Sequence, residues 1–264
     1  MAKKAETPTT VVVVGAARGI GMSTALALAK SGANVVGIDL GSDNTEPGYA
    51  LGNITTADFG EADSQILRIP ADARRELEMQ HAAKLIAAHF GTIDQLVVSA
   101  GAIYGGAPLL ETPLAITMAA IEFNLGCLAN SVSSLVPLIR LNTDKEMRRV
   151  ITVLSVAGTK ALAGIGPYVA AKHAMAGYMK TLAIELAPDS ITVNSVSPGS
   201  TRTAMLSRSA QLYGLANEVE FATHHRLGRL IEPTEITTAI LFFASREASA
   251  ITGVDLAVDA GMKL

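Results

Sequence analysis

Residues 11–22 read VVVVGAARGIGM, four consecutive valines running into a turn that carries Gly15, Gly19 and Gly21. β-Branched residues without polar alternation suit a strand buried on both faces, as in a parallel sheet covered by helices. The helix-like TALALAKSG follows at once and has a natural stop at Gly32. Strand, glycine turn and helix in that order commit the chain to a βαβ crossover. The G-x-x-x-G-x-G spacing also lets backbone N–H groups approach a pyrophosphate at the positive end of the helix. Alone this glycine pattern is a weak signal; its place between first strand and first helix makes it informative.

The rhythm continues along the 264 residues. Further strands are predicted at Asn34–Leu40, Leu67–Ile69, Gln95–Ser99, Val150–Leu154 and Ile191–Ser195. Helices are predicted at Arg74–His89, Leu114–Leu141 and Tyr168–Leu186. With no repeat and no linker, residues 1–264 read as one α/β domain, a doubly wound parallel sheet with helices on both faces behind an N-terminal tail at 1–9. Composition agrees: 49% hydrophobic and only 4% aromatic residues imply packing by small and branched side chains. A net charge of −3 gives no broad attraction to nucleic acid or anionic membrane. The single Cys127, in an apolar run, excludes an intrachain disulfide and a Cys-based zinc cluster and reads as an inert core thiol. No metal is expected. The N-terminus lacks an apolar signal core and no stretch approaches bilayer-spanning length, so a soluble cytoplasmic protein is expected.

Three features carry chemistry. Asp39 ends the second strand, eighteen residues beyond Gly21. A carboxylate there accepts hydrogen bonds from adenosine ribose hydroxyls and repels a 2′-phosphate, which favours NAD over NADP; the bland alternative is an Asp that merely starts a turn. Residues 41–63 replace an expected crossover helix with a Gly-, Asn- and Asp-rich segment holding Asp43, Glu46, Asp58, Glu61 and Asp63 and no Lys or Arg. A loop of that length is either functional or a tolerated surface insertion. Finally, Tyr168 and Lys172 stand four residues apart after a Gly-Pro pair, on one helix face, where an ammonium lowers a phenol's pKa toward working pH. That pairing makes an acid/base tyrosine, although the spacing itself arises often by chance.

Taken together, the chain resembles the short-chain dehydrogenase/reductase family, in its roughly 250-residue Rossmann-like form, along nearly its whole length. The matching elements are GAARGIG at 15–21, Asp39, Asp72, SAG at 99–101, Asn124, Ser155, Tyr168 with Lys172, and NSVSPG at 194–199 with Thr203. Two positions depart from the family pattern: Val14 for a common Thr and Ser99 for a common Asn, both in structural support. The resemblance implies an NAD-dependent enzyme interconverting a secondary alcohol and a ketone. It implies that Tyr168 exchanges the proton, Lys172 lowers its pKa and binds the nicotinamide ribose, Ser155 bonds the substrate oxygen, and Asn124 holds a relay water. On the cofactor side it implies Gly15, Arg18, Gly19, Ile20 and Gly21 at the diphosphate and Asp72 with Ala73 at the adenine. Ala100 and Gly101 would line the adenosine ribose, Thr201 would hold the carboxamide, Thr203 would bond the diphosphate side, and Pro198 and Gly199 would also contact the cofactor.

Residues 203–227 fall in the family's substrate lid. Within it Met205, Leu206, Leu212 and Leu215 either wall an apolar pocket or dock the lid, and His224 and His225 either meet substrate or are solvated. The 41–63 segment and the stretch LYGLANEVEFATHHRLGRLIEPTEI also resemble an actinobacterial subgroup associated with mycofactocin. There an insertion covers the adenosine and retains NAD, and an external redox carrier completes turnover. A homotetramer is the family's usual assembly. Two rival readings are a β-ketoacyl carrier-protein reductase using NADPH and a catalytically silent dinucleotide-sensing module.

Overall fold

β1 (Thr10–Val14) lies at the centre of a sheet whose every pairing is parallel. On one side it pairs with β2 (Asn34–Asp39), which pairs with β3 (Ile66–Pro70); on the other it pairs with β4 (Gln95–Val98). β5 (Arg149–Val153), β6 (Thr192–Pro198) and β7 (Asp255–Val258) follow, giving the order β3-β2-β1-β4-β5-β6-β7. The chain reverses its direction of progress between β1 and β4. Open α/β sheets bind ligands at the strand C-termini beside such a point. The computed structural model describes residues 8–41, 49, 51 and 53–262. Tail residues 1–7, Asp43, Glu46 and the Glu61 side chain lie outside the described residues.

Alternation along β1 divides the core. Val12 and Val14 join Met79, Leu128 and Met175 on one face, while Val11 and Val13 join Ala25, Leu28, Ile236 and Ile240 on the other. The first face is covered by α2 (Glu76–Phe90), α3 (Leu114–Leu141) and α4 (Gly166–Leu186). The second is covered by α1 (Gly19–Lys30) and α6 (Pro233–Ala244). α5 (Ala204–Leu212) lies within residues 203–227.

Three expectations need correction. α4 begins at Gly166 rather than Tyr168, because Pro167 occupies its first turn, where a missing N–H costs nothing. α3 is in fact long and apolar enough to cross a bilayer. It is instead a core helix, its inner face (Phe123, Leu128, Leu135, Ile139) buried. The 41–63 segment is not a surface appendage: Leu51, Ile54, Ala57 and Phe59 are buried, with Ile54 and Phe59 in the α1 face of the core. Arg68 anchors it, pairing with Asp63, donating to the Ala57 carbonyl at 2.7 Å and lying over the Phe59 ring.

Candidate active site

The glycine turn is shaped by close approach. A Cβ at Gly15 would lie 2.5 Å from the Ala100 backbone nitrogen, and one at Gly21 would lie 1.9 Å from the Gly15 carbonyl oxygen. α1 opens at Gly19 with no side-chain cap and no acidic residue in its first turn. Its first N–H groups thus lack the partner that capping residues supply, and the positive end of the helix favours an anion. These features fit the pyrophosphate of a dinucleotide.

Every site residue predicted from sequence lines one cleft of about 430 Å³ except Gly21 and Asn124. Gly21 lies behind the turn it shapes. Asn124, fully buried, supports the cleft: its Oδ1 accepts the Ala102 N–H at 3.2 Å and its Nδ2 donates to the Ala102 and Ala120 carbonyls at 2.9 Å. Its amide thus ties α3 to the loop that follows β4.

At the β2 end of the cleft, the Asp39 carboxylate accepts the Ala17 and Leu40 N–H groups, each at 2.8 Å. Burial pushes its pKa up, and those amides with the Arg18 charge offset only part of the rise. Asp72 is committed to Arg74, whose Nη2 donates at 2.7 Å while its Nε reaches both carboxylate oxygens. Burial raises its pKa, but the Arg74 bonds outweigh burial and hold it below the usual value. Cys127 also faces the cleft, its thiol pushed up to about 12 by burial, so it stays protonated.

β5 and α4 build the other end. Ser155 follows β5, its Oγ accepting the Ala157 N–H at 3.1 Å, and its hydroxyl acts on the Tyr168 phenol from α4. Tyr168 is 6% exposed; burial pushes its pKa well above the phenol range, with the Ser155 bond offsetting part. Lys172 lies one turn on, its Nζ 3.2 Å from the Val153 carbonyl and 5.6 Å from the centre of the Tyr168 ring. Burial lowers it to about 8. The lowering of Tyr168 expected from Lys172 is absent here, because the ammonium sits over the ring and burial dominates the phenol.

Beyond Tyr168 the wall is apolar: Ile103, Leu162, Ile165, Met205, Leu206, Tyr213 and Phe221. Met205 and Leu206 line the cleft and Leu212 packs near Tyr168, whereas Leu215 packs with Phe221 away from it. Tyr213 closes it further, donating to the Ala163 carbonyl at 2.7 Å. His224 lines the cleft, but His225 is neither solvated nor at substrate; it is 4% exposed with both ring nitrogens bonded.

Sequence reading missed Tyr49. Its hydroxyl accepts the Ile103 N–H at 3.3 Å, and the Arg18 guanidinium lies 5.3 Å from its ring centre. Tyr49 is the one tyrosine in residues 41–63, and that was the available signal.

The family described as enoyl-(acyl carrier protein) reductase matches residues 15–263. The chain is a short-chain dehydrogenase/reductase. This short-chain dehydrogenase/reductase is 30% identical to the (−)-trans-carveol dehydrogenase of Rhodococcus erythropolis, over 96% of each chain. It is 34% identical to the trans-4-hydroxycyclohexanecarboxylate dehydrogenase of Sinomonas cyclohexanicum, over 95% of this chain and 91% of that one. The crystal structure of carveol dehydrogenase from Mycobacterium avium in complex with NAD superposes with a TM-score of 0.88 at 30% identity, covering 97% of both chains. Both curated relatives are dehydrogenases of alcohols, and the matched structure is of the same Rossmann-like fold.

Proposed function

We propose that this short-chain dehydrogenase/reductase interconverts an apolar secondary alcohol and its ketone, using NAD. The observation that carries the reading is the placement of Ser155, Tyr168 and Lys172 at one end of a cleft whose other end is bounded by Asp39 and the uncapped start of α1. When bound, the dinucleotide supplies a nicotinamide carbon that takes or gives the hydride. The protein's own groups do the rest. Gly15, Arg18, Gly19, Ile20 and Thr203 would hold the diphosphate, and Asp39 the adenosine ribose. Tyr168 moves the proton: raised by burial, it is protonated and ready to donate to a carbonyl oxygen in reduction, and it accepts in oxidation. Ser155 donates to the same oxygen and stabilises its developing charge. Lys172, one helical turn from the phenol, would hold the nicotinamide ribose.

The wall of Ile103, Leu162, Ile165 and Phe221 suits an alicyclic or similarly apolar substrate without a charged group beside the reacting carbon. A carrier-protein reductase using NADPH would meet the Asp39 carboxylate and a chain of net charge −3, both repulsive to acidic partners. A silent sensing module would have no use for a buried Tyr–Ser–Lys set.

We also propose that NAD is retained beneath the 41–63 segment, with an external redox carrier, because Tyr49 reaches from that segment to Arg18 and Ile103 across the cleft. A homotetramer is proposed by family likeness, and the exposed Leu110, Leu114 and Ile184 on and beside α3 and α4 support it. Light scattering showing a monomer would remove that assembly.

The test of the function is nucleotide release on denaturation, then turnover of apolar secondary alcohols. Stoichiometric NAD(H), or NAD-linked oxidation, supports the reading. Release of nothing together with no turnover by either dinucleotide overturns it.

A further inference from the structure

His225 stands in an unusual place in the hydrogen-bond pattern behind the cleft. The segment after β6 runs beside the segment after the lid through a parallel bridge between Thr201 and Ile231. Two rungs are ordinary: Ile231 N–H donates to the Ser200 carbonyl at 3.1 Å, and Arg202 N–H donates to the Ile231 carbonyl at 2.9 Å. The next rung of a parallel ladder would join the Ser200 N–H to the Arg229 carbonyl. Instead the imidazole of His225 fills the gap. Its Nε2 accepts the Ser200 N–H at 3.0 Å, and its Nδ1 donates to the Arg229 carbonyl at 2.5 Å. A backbone donor and a backbone acceptor that the ladder leaves unmatched are both satisfied by one ring, which fixes the tautomer.

The ring also holds the two segments apart at a set distance. Gly199 is pressed against it: a Cβ at Gly199 would lie 2.8 Å from Nε2 and 3.1 Å from the Asp259 carbonyl oxygen. On its other side Gly199 N–H donates to the Val258 carbonyl at 3.1 Å. The turn Gly199–Ser200–Thr201 is therefore clamped between the end of β7 and one imidazole. His225 directly follows His224, the last lid residue lining the cleft.

We infer that His225 is a positioning residue that fixes the Gly199–Thr201 turn against the lid, and so places the backbone that receives the nicotinamide carboxamide. This rests on the dinucleotide reading above. It assigns His225 no contact with substrate or cofactor; it acts through Ser200 and Thr201.

The test compares two ligands on protein stripped of co-purified nucleotide: NAD+, and ADP-ribose, which lacks the nicotinamide. For His225→Leu, the dissociation constant for NAD+ is expected to rise about tenfold while that for ADP-ribose stays within about twofold, the loss of one buried hydrogen-bond pair acting only at the carboxamide end. His225→Gln presents an acceptor and a donor with the same 1,3 spacing and is expected to restore NAD+ binding. Equal weakening of both ligands in the Leu variant, or no change in either, overturns the inference. So does a Gln variant as weak for NAD+ as the Leu variant, which also covers a Leu variant that fails to fold. If the unaltered protein binds neither ligand, the dinucleotide reading itself falls and takes this role with it.

Discussion

The Asp39 carboxylate accepts the Ala17 backbone N–H at 2.8 Å, tying the C-terminal end of β2 to the glycine turn. The group proposed to select NAD therefore also braces the loop that would hold its diphosphate. Asp39→Ala removes both functions. The NADP-to-NAD ratio of kcat/KM is expected to rise roughly ten- to a hundredfold, the value of a hydrogen bond to a charged group. The melting temperature should fall too, since the Ala17 and Leu40 amides lose their acceptor. An unchanged cofactor ratio would remove Asp39 from cofactor choice and leave it only the bracing role.

Tyr168→Phe keeps the ring beside the Lys172 ammonium and removes only the hydroxyl. Turnover is expected to drop by about 10²–10⁴-fold, the usual range for a general acid/base group, with NAD affinity retained. Single-turnover kinetics and a binding titration together check this. A variant that turns over as well as the parent would rule out Tyr168 as the proton donor.

The distinction between what the sequence reveals and what it hides follows contact range. Val11–Val14, the glycine turn, Asp39 and the Tyr168–Lys172 pair are local patterns, and the structure brings all of them to one cleft or its immediate support. β7 is harder to read because it is short, and Leu256 and Ala257 face outward, so neither burial pattern nor alternation marks it. α5 mixes apolar and polar residues in a short run, and its helix depends on packing through Leu206 and Ala210. Asn124 belongs to a predicted helix, yet its partner is the Ala102 backbone, 22 residues away. His225 bonds two backbone groups that only the folded chain brings together. Tyr49 likewise gains meaning only when β2 and β4 set its segment beside Ile103.

Lys172 makes stability depend on pH in a stated direction. Burial lowers it to about 8 from an ordinary 10.5. Between those values the unfolded chain binds a proton that the folded chain does not, so unfolding free energy rises with pH. Tyr168 acts oppositely, but only above the ordinary phenol value of 10.0, since its folded pKa is raised. Cys127, pushed up to about 12 from an ordinary 9.0, acts in the same opposing sense from about pH 9, so the window that isolates the lysine runs from about pH 8 to 9. Chemical denaturation across it is expected to show a stabilising slope of at most about 1.4 kcal/mol per pH unit, absent in Lys172→Met. The same slope in the Met variant would show that another group carries it.

Gly101 faces two side chains of the proposed machinery. A Cβ there would lie 2.9 Å from the Asn124 Oδ1 and 3.5 Å from the Lys172 Nζ. Its φ is not in the left-handed region, so Gly101→Ala adds crowding and not backbone strain. The amide of Asn124 is held by three backbone bonds and cannot retreat without losing them. Relief must come from the strand end or from the lysine. Gly101→Ala is therefore expected to lower kcat about tenfold or more through a misplaced ammonium, since small displacements of catalytic groups are costly. The fold should cost no more than about 1–3 kcal/mol, as for other overpacked sites. Removing the obstruction tests the cause: in Gly101→Ala with Asn124→Ala, the clash is gone, and some of the lost turnover should return relative to Asn124→Ala alone. A double variant whose turnover is the simple product of the two single losses would mean that the crowding at Asn124 is not what displaces the site.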